Sequence, residues 1–297
     1  MSEVLVTGGL GFVGSNLVDR LLKDGHKVYV IDNMSTGNIN NQNGDAHYVF
    51  ADIRDINNVS QLTHKKFDCI FHTAALARIQ PSFKNPVESC SVNFMGTVQL
   101  LEYARGMGSK FIYAGSSSAT GDANINPYSA SKFYGEQAVE MFTKSFGVNT
   151  AIARFFNVYG PRNVQDEVMG NLLGILQKQY LNDIPFTLIE DCADKRRDFT
   201  HVDDICEGLI RMWKTPEVTN CKIINLGRGD NLSVYEVAQA FIDNAKKKIE
   251  VNYLPKRKGE LESTLADLSE TKRLLGFSPK NNMLDYIKDW VREVDEK

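Results

Sequence analysis

Thr7-Gly8-Gly9-Leu10-Gly11-Phe12-Val13-Gly14 follows the apolar run Val4-Leu5-Val6 and leads into a stretch with helical periodicity. Gly9, Gly11 and Gly14 satisfy G-x-G-x-x-G, and Gly8, Gly11 and Gly14 satisfy G-x-x-G-x-x-G. Glycines at such positions let the backbone turn tightly and approach a pyrophosphate, whose charge then sits on a helix N-terminus. Asp32 gives the stretch its weight, because it ends the next apolar run 21 residues after Gly11. A carboxylate there accepts hydrogen bonds from an adenosine ribose and repels a 2′-phosphate, which points to NAD rather than NADP. Asp52-Ile53, after the third run, sets an acid beside an aliphatic where an adenine can be held.

Outward from this site the first half alternates short apolar runs with helical stretches. Val4–Val6, Val28–Ile31, Tyr48–Phe50, Cys69–Phe71, Phe111–Ala114 and Thr150–Ala153 read as buried strands, being short and rich in β-branched and aromatic residues. Phe12–Lys23, Val87–Arg105 and Ser129–Phe146 read as the helices between them. Such alternation predicts an α/β protein with a parallel sheet covered on both faces. After about Phe156 the connections lengthen, with helices expected near Met169–Gln179, Val202–Trp213, Val234–Ala245 and Met283–Val294. A strand near Ile223–Leu226 is expected to rejoin the main sheet. The division this suggests is 1–156 and 157–297, with a segment around 198–228 returning to the first unit.

Composition narrows the function. The 297 residues include 42% apolar and 24% charged residues, ample for a large core, and 34 Lys and Arg against 37 Asp and Glu give a net charge of −3. That balance argues against a general nucleic-acid binder. Five widely spaced cysteines contain no C-x-x-C pair, which argues against a disulfide framework or a zinc knuckle. No apolar run reaches membrane-spanning length and no secretory signal precedes Val4, so a cytoplasmic setting without a membrane is expected.

The chemistry is concentrated around Tyr128-Ser129-Ala130-Ser131-Lys132. A phenol and an ammonium four residues apart at a helix start fall on one face. A free tyrosine has a pKa of about 10, but a nearby cation favours the phenolate, and NAD⁺ adds a second positive charge. The preceding Phe111-Ile112-Tyr113-Ala114-Gly115-Ser116-Ser117-Ser118 is a strand that runs into a hydroxyl cluster, a source of donors between a substrate hydroxyl and the tyrosine. His72 ends a strand beside the dinucleotide site and reads as structural; the five histidines show no metal-ligand spacing.

These pieces, with His72-Thr73-Ala74-Ala75, Asn93-Phe-Met-Gly96-Thr97, Arg154-Phe-Phe-Asn157, Arg197-Asp198-Phe199, Asn225-Leu-Gly-Arg-Gly229 and Arg257-Lys-Gly-Glu260, stand in an order that resembles the extended short-chain dehydrogenase/reductases, specifically the NAD-dependent nucleotide-sugar epimerases and dehydratases. The resemblance covers nearly the whole chain. It implies a Rossmann-like doubly wound sheet with a smaller C-terminal substrate-binding domain, and NAD as cofactor. It assigns Gly8, Gly11, Phe12, Val13, Asp32, Asn33, Ser35, Thr36, Gly37, Asp52, Ile53, Thr73, Ala74, Ala75, Asn93, Ser116, Tyr128, Lys132 and Phe155 to the cofactor. Ser118, Tyr128 and Lys132 become the catalytic group. Ser118, Phe156, Asn157, Asn171, Arg197, Arg257 and Thr264 become the substrate contacts, the arginines because a guanidinium fork matches phosphate oxygens.

The chain also departs from the family. Only nine residues, 119–127, separate Ser118 from Tyr128, where the family has a markedly longer loop, so a more open sugar pocket is expected. Dehydratases of the group carry an Asp-Glu pair after the hydroxyl residue; Ala119-Thr120 stands here instead. The expected activity is therefore epimerisation at C4 of a nucleotide-linked sugar, expected to be a UDP-linked hexose or N-acetylhexosamine, with Thr264 as a small gate residue that admits the acetamido group. The alternatives are a nucleotide-sugar dehydratase, decarboxylase or ketosugar reductase, and a non-catalytic NAD-binding relative. The resemblance further implies a homodimer, with Val98, Leu101, Phe142 and Phe146 as candidate interface residues.

Overall fold

The computed structural model describes residues 1–166, 170–256 and 261–297. The chain begins with β1 (Glu3–Thr7), α1 (Phe12–Lys23), β2 (Lys27–Asp32), β3 (His47–Phe50) and β4 (Cys69–His72). There follow α2 (Ile79–Lys84), α3 (Pro86–Cys90), α4 (Gly96–Met107), β5 (Lys110–Ser116), α5 (Pro127–Phe146) and β6 (Thr150–Phe155). The later part contributes β7 (Val158–Tyr159), α6 (Leu172–Leu181), β8 (Phe186–Ile189), β9 (Arg196–Arg197), β10 (Thr200–His201), α7 (Val202–Lys214) and β11 (Lys222–Leu226). It closes with β12 (Leu232–Ser233), α8 (Val234–Asn244), β13 (Val251–Leu254), α9 (Ser269–Leu275) and α10 (Met283–Asp295).

Seven parallel strands form the central sheet in the order β11-β6-β5-β4-β1-β2-β3. Strand order reverses between β1 and β4, the place where open α/β sheets leave a crevice at the carboxyl ends of their strands. Alternate residues of each strand face opposite ways. Val4 and Val6 therefore join α1 and α7 in one buried cluster with Leu17, Ile205 and Leu209, whereas Leu5 joins α4 and α5 in another with Leu100, Ala138 and Val139. A third core, built from Tyr159, Leu176, Phe186, Phe241 and Ile287, belongs to the later helices and the β8–β13 pair.

The predicted strands and helices are present, with ends that move by a few residues; Met169, the expected start of one helix, lies outside the described residues. The largest difference lies in the single helix expected over Val87–Arg105. It is broken into α3 and α4 by a π turn at Ser91–Met95, the kind of local widening often found at functional sites. The Ile223–Leu226 run is β11, paired along β6 from Lys222↔Ala151 to Leu226↔Phe155. The two-residue strands β7, β9, β10 and β12 are too short to leave a periodic signal in the sequence.

A buried chain of hydrogen bonds ties this frame together. His72 Nδ1 lies 2.8 Å from Thr7 Oγ1, and its Nε2 lies 2.9 Å from Thr97 Oγ1. Thr97 donates its own proton to the Asn93 carbonyl (2.6 Å), so Nε2 must carry the hydrogen and Nδ1 must accept from Thr7. Burial and the neighbouring Lys132 charge hold His72 well below the usual imidazole pKa. The folded protein thus keeps His72 neutral, while an unfolded histidine binds a proton below about 6.5. The unfolded state then binds more protons, and stability falls as pH drops through that value. In urea unfolding at pH 5 and pH 7.5, His72→Gln should lose less stability between the two than the wild type. Equal losses would contradict this account of His72.

Candidate active site

The site is assembled at the carboxyl ends of β1, β2, β4, β5 and β6. The turn after β1 is compact because its glycines approach other backbone closely. Gly8 has φ +70°, and a Cβ there would lie 2.7 Å from the Ala74 Cα. A Cβ on Gly14 would lie 2.1 Å from the Gly8 carbonyl oxygen. The Gly8–Gly14 turn therefore presents bare backbone at the N-terminus of α1, a cradle that suits a pyrophosphate. Thr73 Oγ1 donates to the Thr7 carbonyl (2.6 Å) and Ala74 N donates to Thr7 Oγ1 (3.1 Å), holding Thr73 and Ala74 against that turn.

Asp32 is buried at the end of β2 and accepts from Leu10 N (3.0 Å) and Met34 N (2.7 Å). Its carboxylate is thus fixed beside the glycine turn, with Gly37 packed so closely that a Cβ would lie 2.9 Å from Asp32 Oδ1. Asn33 links this shelf to the next: its Nδ2 donates to Asp52 Oδ2 (2.9 Å) and its Oδ1 accepts from Ser35 N. Asp52 is paired with Arg54 at 2.7 Å, and hydrogen bonds from that side chain hold its carboxyl at about 2. Arg54 also reaches Glu88 and Ser91. The sequence reading missed Arg54, although Asp52-Ile53-Arg54 places it two residues from the acid it neutralises.

The π turn aims Asn93 inward. Its amide closes on the backbone of Leu76 in both directions, at 2.8 and 3.1 Å, and Nδ2 donates to Ser131 Oγ at 2.9 Å. Ser131 sits one residue before Lys132, so the π turn fixes the first turn of α5. Asn126 caps that helix by accepting from Ser129 N (2.7 Å), and Pro127 fills its first position.

Tyr128, Ser116 and Ser118 are brought into one hydroxyl cluster. Tyr128 Oη donates to Ser116 Oγ at 3.3 Å, and the Ser116 and Ser118 hydroxyls are 2.8 Å apart. Lys132 is buried; its Nζ donates to the Ala114 carbonyl (2.6 Å) and lies 4.2 Å from the centre of the Tyr113 ring. Burial lowers the Lys132 pKa to about 7, opposed by the Glu136 carboxylate one turn further along α5. Burial also raises the Tyr128 phenol, opposed by the Ser116 hydrogen bond, by the charge of Arg78 and by Ser118. Arg78, at the start of α2, is a second cation near Tyr128 that sequence reasoning did not single out.

The later elements supply the facing wall. Phe155 packs on the α1–α7 side of the sheet, and Phe156 is buried with Ala266 and Leu268. Asn157 adopts φ +25° and donates to both the Asp198 carbonyl and Thr264 Oγ1, each at 3.0 Å. Asn171 caps α6 through Gly174 N (2.9 Å) and donates to the Val158 carbonyl (2.7 Å). Arg197 donates to the carbonyls of Leu261 and Glu262 at 2.7 and 3.0 Å. Arg257 lies outside the described residues. Beneath this wall Asp198 is fully buried and accepts from Arg228 N (2.7 Å), Gly229 N (2.9 Å) and Ala266 N (3.0 Å). Three separated stretches of the chain therefore meet on one carboxylate, a role not visible in any one of them. Among the described residues, no group of three His, Cys, Asp or Glu side chains stands where it could hold a metal ion, and no helix is long and apolar enough to cross a membrane.

Comparison with known proteins agrees with this geometry. Residues 4–227 match the model of the NAD dependent epimerase/dehydratase family. UDP-glucuronic acid decarboxylase 4 of Arabidopsis thaliana is 32% identical over 303 residues, covering 94% of this chain and 65% of that one. The UDP-glucose 4-epimerase of Thermus thermophilus, solved with NAD, superposes with a TM-score of 0.86 at 30% identity, covering 99% of both chains. A UDP-glucuronic acid 4-epimerase of Bacillus cereus, solved with UDP-4-deoxy-4-fluoro-glucuronic acid and NAD, gives a TM-score of 0.89 at 28% identity, again covering 99% of both. A glycine cradle with an acid-terminated second strand, a Tyr128–Lys132 helix beside a serine cluster, and these likenesses lead to one conclusion: the chain belongs to the NAD dependent epimerase/dehydratase family, an NAD-dependent enzyme of nucleotide-sugar chemistry.

Proposed function

We propose that this enzyme inverts C4 of a UDP-linked hexose or N-acetylhexosamine through a transient 4-keto sugar. The observation that carries this reading is the hydroxyl chain Tyr128–Ser116–Ser118 with Lys132 one turn along the same helix. Bound NAD supplies the hydride acceptor and donor. The residues to hold it are those of the Gly8–Gly14 turn with Phe12 and Val13, the Asp32–Gly37 shelf, Asp52 and Ile53, Thr73–Ala75, Asn93 and Phe155. Residues 1–156 form the cofactor unit in this reading, and 157–297 mainly the sugar-nucleotide unit, with 198–228 returning to the first.

Tyr128 takes the proton of the C4 hydroxyl at Oη and returns it after the ring has turned over. Ser118 and Ser116 hydrogen-bond the same oxygen. Burial works against the phenolate, so Lys132 and the cofactor's charge must offset it. Arg197 and Arg257 hold the diphosphate, and Asn157 and Asn171 position it. This remote binding keeps the keto sugar in place while it rotates. Ala119-Thr120, standing where dehydratases have two acids, supports epimerisation over water elimination. A second reading, decarboxylation of a UDP-uronic acid, is favoured by the 32% identity to the Arabidopsis decarboxylase. NMR of the products separates the two, since only the decarboxylase releases carbon dioxide.

Tyr128→Phe should lower kcat by at least about 10²-fold, the low end for general acid–base catalysis, with NAD still bound. Full turnover by this variant would refute the assignment. Thr264 is small and is held by Asn157, so the acetamido group should pass it. Thr264→Tyr should depress turnover of UDP-GlcNAc about 5- to 150-fold relative to UDP-glucose, as overpacking of 1–3 kcal/mol implies. A wild-type enzyme that converts UDP-galactose but neither acetamido sugar would remove the gate.

We further propose a homodimer. Leu101 and Phe142 are buried against the sheet rather than offered to a partner, and Val98 packs there too. The exposed apolar side chains on α5 and the π turn are Met95, Tyr134, Met141 and Phe146, a surface suited to pairing with its own copy. Light scattering at micromolar concentration should give a two-chain mass, and Met141→Glu should shift it toward one chain. A single-chain mass for the wild type would count against the dimer.

A further inference from the structure

The Asp52 carboxylate is held almost entirely by one residue. A carboxylate offers about four lone-pair positions. At Oδ1, Arg54 donates from its backbone N at 2.8 Å and from Nε at 2.9 Å; at Oδ2, the same guanidinium donates from Nη2 at 2.7 Å. The remaining donor is Asn33 Nδ2, 2.9 Å from Oδ2.

Arg54 is itself held from the far side. Its Nη1 donates to Glu88 Oε2 in α3 at 3.1 Å and to Ser91 Oγ at the start of the π turn at 2.9 Å. The backbone at Gly96 closes over its stem: a Cβ there would lie 2.6 Å from Ile53 Cδ1 and 3.8 Å from Arg54 Cγ. A guanidinium is planar and its fork is rigid, so with both arms engaged it fixes the plane of the carboxylate it meets. The orientation of Asp52 is therefore set by α3 and the π turn. Asn33, by contrast, is exposed, and a donor brought by a ligand can replace it on Oδ2 without loosening the Arg54 fork.

We infer that Arg54 is a positioning residue for recognition of the cofactor's adenine: by fixing the plane of Asp52 it offers one lone pair of Oδ2 to the exocyclic amine of the base, which takes the place of the Asn33 amide. The inference rests on the placement of Asp52 in the cofactor site proposed above, and gives the selectivity for the base to a residue that acts through Asp52.

Competition between NAD and its hypoxanthine analogue, in which oxygen replaces the 6-amino group, tests this without relying on turnover. The purified enzyme is dialysed against an equimolar mixture until the bound ratio is constant, and the dinucleotides are then released and separated by chromatography. The wild type should hold NAD over the analogue by at least about tenfold, because the analogue sets an acceptor against the carboxylate. Arg54→Met, which keeps the apolar stem and removes the fork, should bring the ratio to within about threefold. Arg54→Lys, which restores the charge without the fork, should recover only a minor part of the preference. Asp52→Ala should lower the ratio as far as Arg54→Met or further, and adding Arg54→Met to it should change nothing more. An unmoved ratio in Arg54→Met beside a fall in Asp52→Ala, full recovery in Arg54→Lys, or a further fall in the double variant would each overturn the role of Arg54 while leaving Asp52 in the cofactor site. A wild type that holds both dinucleotides equally, or a ratio unmoved by Asp52→Ala, would instead overturn the placement of Asp52 on which the inference rests.

Discussion

The buried line Thr7–His72–Thr97–Asn93 is the constraint on which the site depends. It joins the strand before the glycine turn to the end of β4, to the first turn of α4 and to the π turn. Asn93 extends it to Ser131, and so to the helix turn that carries Tyr128 and Lys132. The glycine turn and the helix that carries Tyr128 and Lys132 are thus registered to each other through a line of hydrogen bonds from Thr7 to Ser131 rather than through loops. Hydrogen bonds in a dry interior are strong when complete and costly when one member is lost. This explains why a histidine with no chemical task sits at the centre of the sheet.

A second constraint governs the facing wall. Asp198 collects three backbone amides, from the turn after β11 and from the chain beyond Thr264. Thr264 in turn exchanges backbone hydrogen bonds with Arg196 and Asp198, and its hydroxyl accepts from Asn157. Thr264, the Arg196–Asp198 stretch and Asn157, with its positive φ, are therefore joined in one hydrogen-bonded unit. Burial raises the Asp198 carboxyl, and the amide hydrogen bonds oppose that, as expected of a charge kept inside by donors alone.

Much of this was legible in the sequence because it depends on local rules. Glycines that must approach backbone, an acid that ends a strand, and a phenol and an ammonium one turn apart are all expressed in spacing. The alternation of β-branched runs with amphipathic stretches gave the sheet and its two helical layers. What escaped was non-local. No period announces a π turn inside an otherwise helical stretch, and two-residue strands such as β9 and β12 exist only because Arg196 and Arg197 meet Leu232 and Ser233. Arg54, Arg78 and Asp198 acquire their surroundings from residues far away in the chain. Lys132 shows the limit from the other side: the sequence supplied the cation, but its bond to the Ala114 carbonyl and its lowered pKa come from burial.

The placement of β11 has a consequence for synthesis on the ribosome. β6 ends at Phe155, yet the strand that covers its free edge begins at Lys222. Until those intervening residues have emerged, β6 presents a row of open amides and carbonyls, the surface through which nascent chains adhere to one another. The sheet cannot finish in the order in which it is made. The core on the α1 face of the sheet is complete only once α7 and β11 have arrived, α7 just ahead of the strand. A chaperone that shields an unpaired strand would find its natural target on this edge.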